Sequence, residues 1–178
     1  KNNKIRYSSI SSPYKEVIMS YLDVITKETA FIESVNNIIL KDNLFYGYNT
    51  DWKAMVRLLD DVNPKSVILL GSCGTAQGMA YALYQKNIDF TIYAINIDSR
   101  LKISNKYKTP NYNLKDNYKA DLIINCLPKE IKFNYTGLIL DINDSNNRIS
   151  QLFFKYLAEE DFKVWFSIDK SYFQEYKI

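Results

Sequence analysis

The chain of 178 residues contains no histidine. That removes the Ser-His-Asp and Cys-His nucleophile systems and every histidine-metal site, so acid and base work falls to Lys, Asp, Glu, Tyr or Cys. Cysteine is scarce as well, with Cys73 and Cys126 the only two. Neither stands in a C-x-x-C pair, so the sequence offers no zinc motif. Both fall at the ends of apolar segments, which reads as reduced thiols in a cytoplasmic protein, with a single bridge as the alternative. No apolar run approaches the ~20 residues that span a bilayer, and no signal peptide is visible. A dominant charge is missing too. The net charge is +3, acids and bases are mixed, and no basic stripe forms, so neither nucleic acid nor membrane is expected as a partner. There is no internal repeat and no long low-complexity linker. The chain starts at Lys1 rather than Met and is read as a fragment or a processed product.

What is present is a hydrophobic fraction of 47%, enough for a sizeable core. The length allows one domain, or one domain plus part of another. Ser12 and Pro13 read as a helix start with proline at the first helical position. Val17, Ile18, Tyr21, Leu22 and Ile25 follow at helical spacing. Residues 35–40 and 44–48 read as two strands joined by a turn at 41–43. A helix then begins at Asn49-Thr50-Asp51, capped by Thr50 or Asp51, with Trp52, Met55, Val56 and Leu59 as its buried stripe and Asn63-Pro64 as its end. Residues 66–70 suit a strand buried on both faces. Gly71-Ser72-Cys73-Gly74 follows, then a helix carrying Ala76, Met79, Ala80 and Leu83, then a strand at 90–95. Strand, glycine turn, helix, strand is the opening of a dinucleotide-binding sheet. Further strands are expected at 120–126, 138–142 and 163–168, and helices at 149–157 and 172–176. The fold class is therefore α/β: a Rossmann-like doubly wound parallel sheet preceded by part of a smaller α/β substrate-binding domain. The expected division is 1–61, 62–150, and a C-terminal segment 151–178 packing back between the two.

Three short constellations carry the chemistry: Ile10-Ser11-Ser12-Pro13-Tyr14-Lys15, Ser34-Val35-Asn36-Asn37, and Gly47-Tyr48-Asn49-Thr50-Asp51. In this order they resemble the V-T-x-P-F-K, A-V-N-T and G-x-N-T-D signatures of the shikimate/quinate dehydrogenase family. The glycine turn and Asp121-Leu122-Ile123-Ile124-Asn125-Cys126-Leu127-Pro128, similar to the family's D-L-I-I-N-x-T-P, extend the resemblance from about residue 8 to about residue 143. The resemblance implies Lys15 and Asp51 as a catalytic pair, and Ser11, Asn36, Thr50 and Gln174 as substrate contacts. It further implies Gly71, Cys73, Gly74, Thr75, Ala76, Asn96, Asp98 and Leu127 at a nicotinamide cofactor. The implied reaction is reversible reduction of 3-dehydroshikimate to shikimate, a cyclic hydroxy acid of the shikimate pathway to aromatic amino acids. The residues suit that chemistry independently. Ketone reduction builds negative charge on oxygen, which an ammonium stabilises and protonates, and an aspartate orients the ammonium. Taken without the motif, Lys15 reads as an exposed first-turn helix lysine and Asp51 as a plain N-cap.

Departures from the family pattern are equally specific. Cys73 stands where the second glycine of G-x-G-G-x-A lets the backbone approach a pyrophosphate. Asn96-Ile97-Asp98 stands where the family has N-R-T, whose arginine meets the 2′-phosphate of NADP. Asp98 suits a ribose hydroxyl of NAD instead, while Arg100 and Lys102 are the nearby cations for a phosphate. The cofactor is thus NADP by resemblance, with NAD open. Leu127 replaces a threonine. Lys170 and Gln174 stand where the family has the two glutamines of Q-A-x-x-Q-F. The family's upstream strand and its S-x-S-P carboxylate clamp are expected to be missing. Three functions follow: the dehydrogenase, a degenerate relative that binds a nucleotide or metabolite or serves as an interaction module, and a dehydrogenase of methylene-tetrahydrofolate type.

Overall fold

The computed structural model describes residues 6–168; Lys170, Gln174 and the helix expected at 172–176 lie outside the described residues. The first strand, β1 (Tyr7–Ser9), leads into a single helical turn, α1 (Tyr14–Val17), followed by a 3-10 turn at Ile18–Tyr21, β2 (Val24–Ile25) and α2 (Lys27–Ile32). The one helix expected across 13–25 is therefore broken into pieces. Two of the apolar positions that defined it, Val17 and Tyr21, are 61% and 71% exposed, so no packed surface sustains a longer helix there. Pro13 precedes the first helical residue instead of occupying it. The second helix has its own cap, Thr26 Oγ1 accepting from the Thr29 N–H at 3.2 Å.

Strands β3 (Asn37–Lys41) and β4 (Leu44–Tyr48) form the expected hairpin. Asp42 and Asn43 both take positive φ, at 51° and 61°, the backbone that matches the twist of a two-residue hairpin turn. The four strands order as β1-β3-β4-β2, with β2 parallel to β4 and the other pairs antiparallel. Helix α3 (Asp51–Val62) follows, burying Ala54, Met55, Leu58 and Leu59, and ends at Asn63, whose φ of 46° stops the helix.

The second sheet holds β5 (Val67–Leu70), β6 (Phe90–Tyr93), β7 (Asn111–Tyr112), β8 (Asn117–Asn125) and β9 (Asn134–Asp141), in the order β7-β6-β5-β8-β9 and parallel throughout. Helices α4 (Gly74–Gln85) and α5 (Ile97–Tyr107) make the first two crossovers. Because β6 lies on one side of β5 and β8 on the other, strand order reverses at β5, which is where open α/β sheets bind ligands. Alternate residues of β5 enter different cores: Val67 and Leu69 pack under α3, α4 and the last helix, while Ile68 and Leu70 meet Tyr118, Ile123 and Leu127 on the other face. Neither α5 nor β7 was expected, because α5 turns only one apolar residue, Ile103, fully inward.

The last described element is one helix, α6 (Arg148–Ile168). It runs through 163–168, where a strand was expected. No glycine or proline interrupts it, and Phe153, Glu160 and Val164 bury one helical face against the rest of the fold. It packs on α3, β9 and β3 and so joins the two sheets.

Candidate active site

The turn before α1, the start of β3 and the start of α3 converge with the first turn of α4. Lys15 sits in the one-turn helix, yet it is only 8% exposed. Its backbone carbonyl takes the N–H of Val35 at 2.8 Å, which fixes α1 beside Asn36, the residue before β3. The ammonium donates to Asp51 Oδ2 at 2.6 Å and to Thr75 Oγ1 at 2.9 Å. Two of its three N–H directions are used, leaving one for a ligand. Asp51, at the first position of α3, accepts at its other oxygen from Asn36 Nδ2 at 2.9 Å. The helix N-terminus adds a favourable field for that carboxylate.

Asn36 is held from both ends. Its Oδ1 accepts from the Thr50 N–H at 2.9 Å and its Nδ2 reaches Thr50 Oγ1 at 2.8 Å. The Thr50 hydroxyl does not cap α3; it donates to Asp161 on α6. Asn37 Nδ2 donates to the same carboxylate oxygen at 2.7 Å, and Trp165 Nε1 donates to Asn37 Oδ1 at 3.1 Å. Burial lifts the Asp161 carboxyl above the ordinary range, against the pull of the donations from Thr50 and Asn37. Asp161 and Trp165 are members of this cluster that lie outside every motif, and Asn37 and Thr75 lie within motifs that gave them no such contacts.

Close backbone approach brings the second half of the site in. A side chain at Gly74 would put its Cβ 2.7 Å from Ser34 Oγ and 3.0 Å from Lys15 Cβ. One turn later, a Cβ at Gly78 would lie 3.2 Å from that of Asp51. The glycine face of α4 thus lies directly on the Lys15–Asp51 pair. Ser34 Oγ is buried there without a hydrogen-bond partner.

The turn itself is shaped by Gly71, whose φ is 98° and whose N–H donates to the Tyr93 carbonyl at 2.8 Å. Cys73 occupies the N-cap position of α4. The neighbouring Cys126 draws its pKa down to about 6 against the effect of burial, helped by the nearby N–H groups of Ala76 and Thr75 and by the Lys15 charge. The sulfur therefore stands at the helix N-terminus where a glycine turn presents its anion site, without a hydrogen bond that caps the helix. Ala76 buries its methyl in the main core.

The remaining expected positions spread out. Ser11 is exposed on the turn before α1, where its carbonyl accepts from the Tyr14 N–H at 3.1 Å. Asn96 caps α5, accepting from the Ser99 N–H at 2.9 Å, and Asp98 is exposed in the first turn of that helix. Leu127 is buried in the smaller core, turned away from the turn. Arg100 gives its guanidinium to the Ala94 carbonyl at 3.0 Å and Asn113 Oδ1 at 2.6 Å, and Lys102 pairs with Glu33 at 2.9 Å. Neither cation is set for a phosphate. A cleft of about 630 Å³ opens at the opposite end of the parallel sheet, between Lys65, Asn87 and Lys108, away from the strand ends where this chemistry gathers. Among the described residues no cluster of three or more Cys, Asp or Glu could hold a metal, and no helix is long and apolar enough to cross a membrane.

Comparison with known proteins places these features. No protein-family model matches the chain. Shikimate dehydrogenase (NADP(+)) of Clostridium botulinum (strain Loch Maree / Type A3) is 34% identical over 135 residues, which cover 71% of this chain and 52% of that protein. The shikimate biosynthesis protein AroDE of Chlamydia pneumoniae is 29% identical over 144 residues, covering 76% of this chain and 30% of that protein. The chain thus spans about half the length of the first and under a third of the second. Among solved structures, a shikimate 5-dehydrogenase-like protein is 25% identical with a TM-score of 0.68, covering 90% of this chain and 72% of that one. The fold is shared with shikimate dehydrogenase of Thermotoga maritima, at a TM-score of 0.75 and 22% identity over 96% of this chain and 76% of that one. Sequence and fold together make the chain a homologue of shikimate dehydrogenases.

Proposed function

We propose that this homologue of the shikimate dehydrogenases catalyses the reversible reduction of 3-dehydroshikimate to shikimate with a nicotinamide dinucleotide, NADP by kinship. The observation that carries the reading is the buried Lys15–Asp51 pair, with Asn36 on the same carboxylate, packed against the glycine face of α4. A bound nicotinamide would supply the hydride. The protein's own part is proton and charge. The free N–H of Lys15 faces the oxygen that gains negative character as the ketone is reduced, stabilises it and delivers the proton. Asp51 holds the ammonium in place, and Asn36 holds Asp51. Thr75 ties that ammonium to the helix that would bear the pyrophosphate, so cofactor and acid are placed by one element.

The residues fit a dinucleotide in part. The switch point, the positive φ of Gly71 and the N-terminus of a 12-residue helix supply the cradle. The Cys73 sulfur, with its lowered pKa, competes for that N-terminus, and Asp98, not a free arginine, stands near the expected ribose. That competition supports a second reading, a relative that binds metabolite or nucleotide without turning over. Titration with NADPH and NADH, followed by nicotinamide fluorescence with and without 3-dehydroshikimate, separates the two. Saturable binding and oxidation that vanishes in Lys15→Ala is the expected result. Binding without oxidation selects the second reading, and no binding of either nucleotide at millimolar concentration removes the first.

A further inference from the structure

The β5–α4 turn holds a second chemical group besides the one assigned to phosphates. Gly71 carries the chain so tightly over the end of β8 that a Cβ there would lie 2.7 Å from the Cys126 carbonyl oxygen and 3.2 Å from Cys126 Cβ. Two residues on, the Cys73 thiol donates to that same carbonyl, with Sγ 3.8 Å from the oxygen. The backbones are pinned as well: the Cys126 N–H donates to the Leu70 carbonyl at 2.8 Å, directly before the turn. The partners differ in access. Cys73 is half-buried, whereas Cys126 lies within the main core at 6% exposure. Cys73 is also the more acidic, while the neighbouring Cys73 sulfur and burial push the Cys126 thiol up.

We propose that Cys73 and Cys126 are a dithiol modification site, which a peroxide closes to an intramolecular disulfide at the switch point of the parallel sheet. The accessible Cys73 thiolate attacks one peroxide oxygen; the S–O bond forms, the O–O bond breaks, and hydroxide leaves to become water. Cys126 then gives up its proton and attacks the Cys73 sulfur; the S–S bond forms, the S–O bond breaks, and a second water leaves. Two thiols and one peroxide yield one disulfide and two waters. The site lies on the turn that the proposed function assigns to phosphates, but its chemistry does not require that a nucleotide bind.

The reduced full chain is treated with hydrogen peroxide, alkylated in denaturant and weighed intact, then mapped by peptides. Expected is a monomer lighter by two hydrogens that takes up no alkyl group, a cross-linked peptide joining Cys73 to Cys126, and full reversal by dithiothreitol. Cys73→Ser under the same peroxide keeps Cys126 as an alkylatable thiol, and Cys126→Ser leaves a Cys73 sulfenic acid that dimedone captures. A wild-type chain in which Cys73 gains oxygen while Cys126 stays alkylatable overturns the proposal. So does a disulfide that joins two chains.

Discussion

On the side of the small sheet, Asp51 receives Lys15 at one oxygen and Asn36 at the other, and Asn36 is itself held by Thr50. Lys15, Asn36, Thr50 and Asp51 are each held by another group of the same chain, with one Lys15 N–H left over. On the side of the β5–α4 turn, Cys73 stands at the N-terminus of α4 with its pKa drawn down to about 6, and Ser34 Oγ, at the seam between the two sides, is buried without a partner. The first region is a finished electrostatic device that needs only its reactant. The second has the backbone of an anion site with a competing anion already placed in it. A satisfied polar cluster is rigid and costly to break, whereas a cap that competes with a ligand is adjustable. Substitutions in the two regions should therefore differ in kind.

The largest effect belongs to the first region. Asp51→Ala leaves the Lys15 ammonium buried with only the Thr75 hydroxyl, and removing one partner of a buried pair costs about 3–5 kcal/mol. Urea denaturation measures it. Lys15→Met combined with Asp51→Leu should cost less than Asp51→Ala alone, because no unpaired charge remains. A loss below about 1 kcal/mol in Asp51→Ala would mean the pair is wet and the contrast between the regions is lost.

Next comes the seam between them. At an open helix position Gly→Ala stabilises by up to about 1 kcal/mol. At Gly74 the new methyl meets Ser34 Oγ and Lys15 Cβ, so Gly74→Ala should instead destabilise by about 1–3 kcal/mol. Adding Ser34→Ala removes the nearer obstacle, and the double variant should recover part of that loss as a measurable coupling energy. Additive losses would show that α4 and the segment before β3 are not in close contact there.

How much of this could be read in advance follows the same division. Lys15, Asn36 and Asp51 sit in three short motifs within one stretch of chain, and the structure brings them together through the hairpin and the start of α3. Asp161 closes the same cluster from 111 residues away, and no local pattern announces a contact of that range. The strand expected at 163–168 failed for a related reason. Val164, Trp165 and Phe166 look like a β segment, while the helical face that holds them in α6 includes a buried glutamate, Glu160, paired with Arg57 and Lys163. A period read from apolar residues alone passes over such a position. The departure at Cys73 was visible as a missing glycine, but its electrostatic consequence depends on Cys126, which only strand pairing puts beside it.

The adjustable region should respond to pH and to a single atom. Cys73→Gly clears the sulfur from the N-terminus of α4 and should tighten nicotinamide nucleotide binding about tenfold, or about 1.4 kcal/mol. In the wild type, affinity should fall as pH rises through about 6, because the thiolate repels phosphate, and the variant should lack that step. Stability runs the other way. The folded pKa lies below the unfolded value near 9, so the contribution of Cys73 is full above that value and is lost as pH falls toward about 6. Opposite slopes for binding and stability, both absent in Cys73→Gly, are the signature of a competing anion. Parallel slopes would point to another titrating group.

The smallest effect returns to the finished cluster and tests how complete it is. Asp161 accepts from Thr50 and Asn37, and burial raises its pKa. Asn in its place keeps an acceptor for both donors, so Asp161→Asn should change stability by about 1 kcal/mol or less near neutral pH. Its effect lies in the pH profile. A carboxyl with a raised folded pKa contributes stability below its unfolded pKa of about 3.9, and that contribution is lost as pH rises through the folded value. The wild type should therefore lose stability relative to Asp161→Asn across that acidic window, and the two curves should run parallel above it. If the curves are parallel throughout, α6 rests on the cluster as a neutral lid. If they diverge as expected, its carboxylate is an electrostatic member of the network around Asn36, and the substrate side of the site is set partly by the last helix.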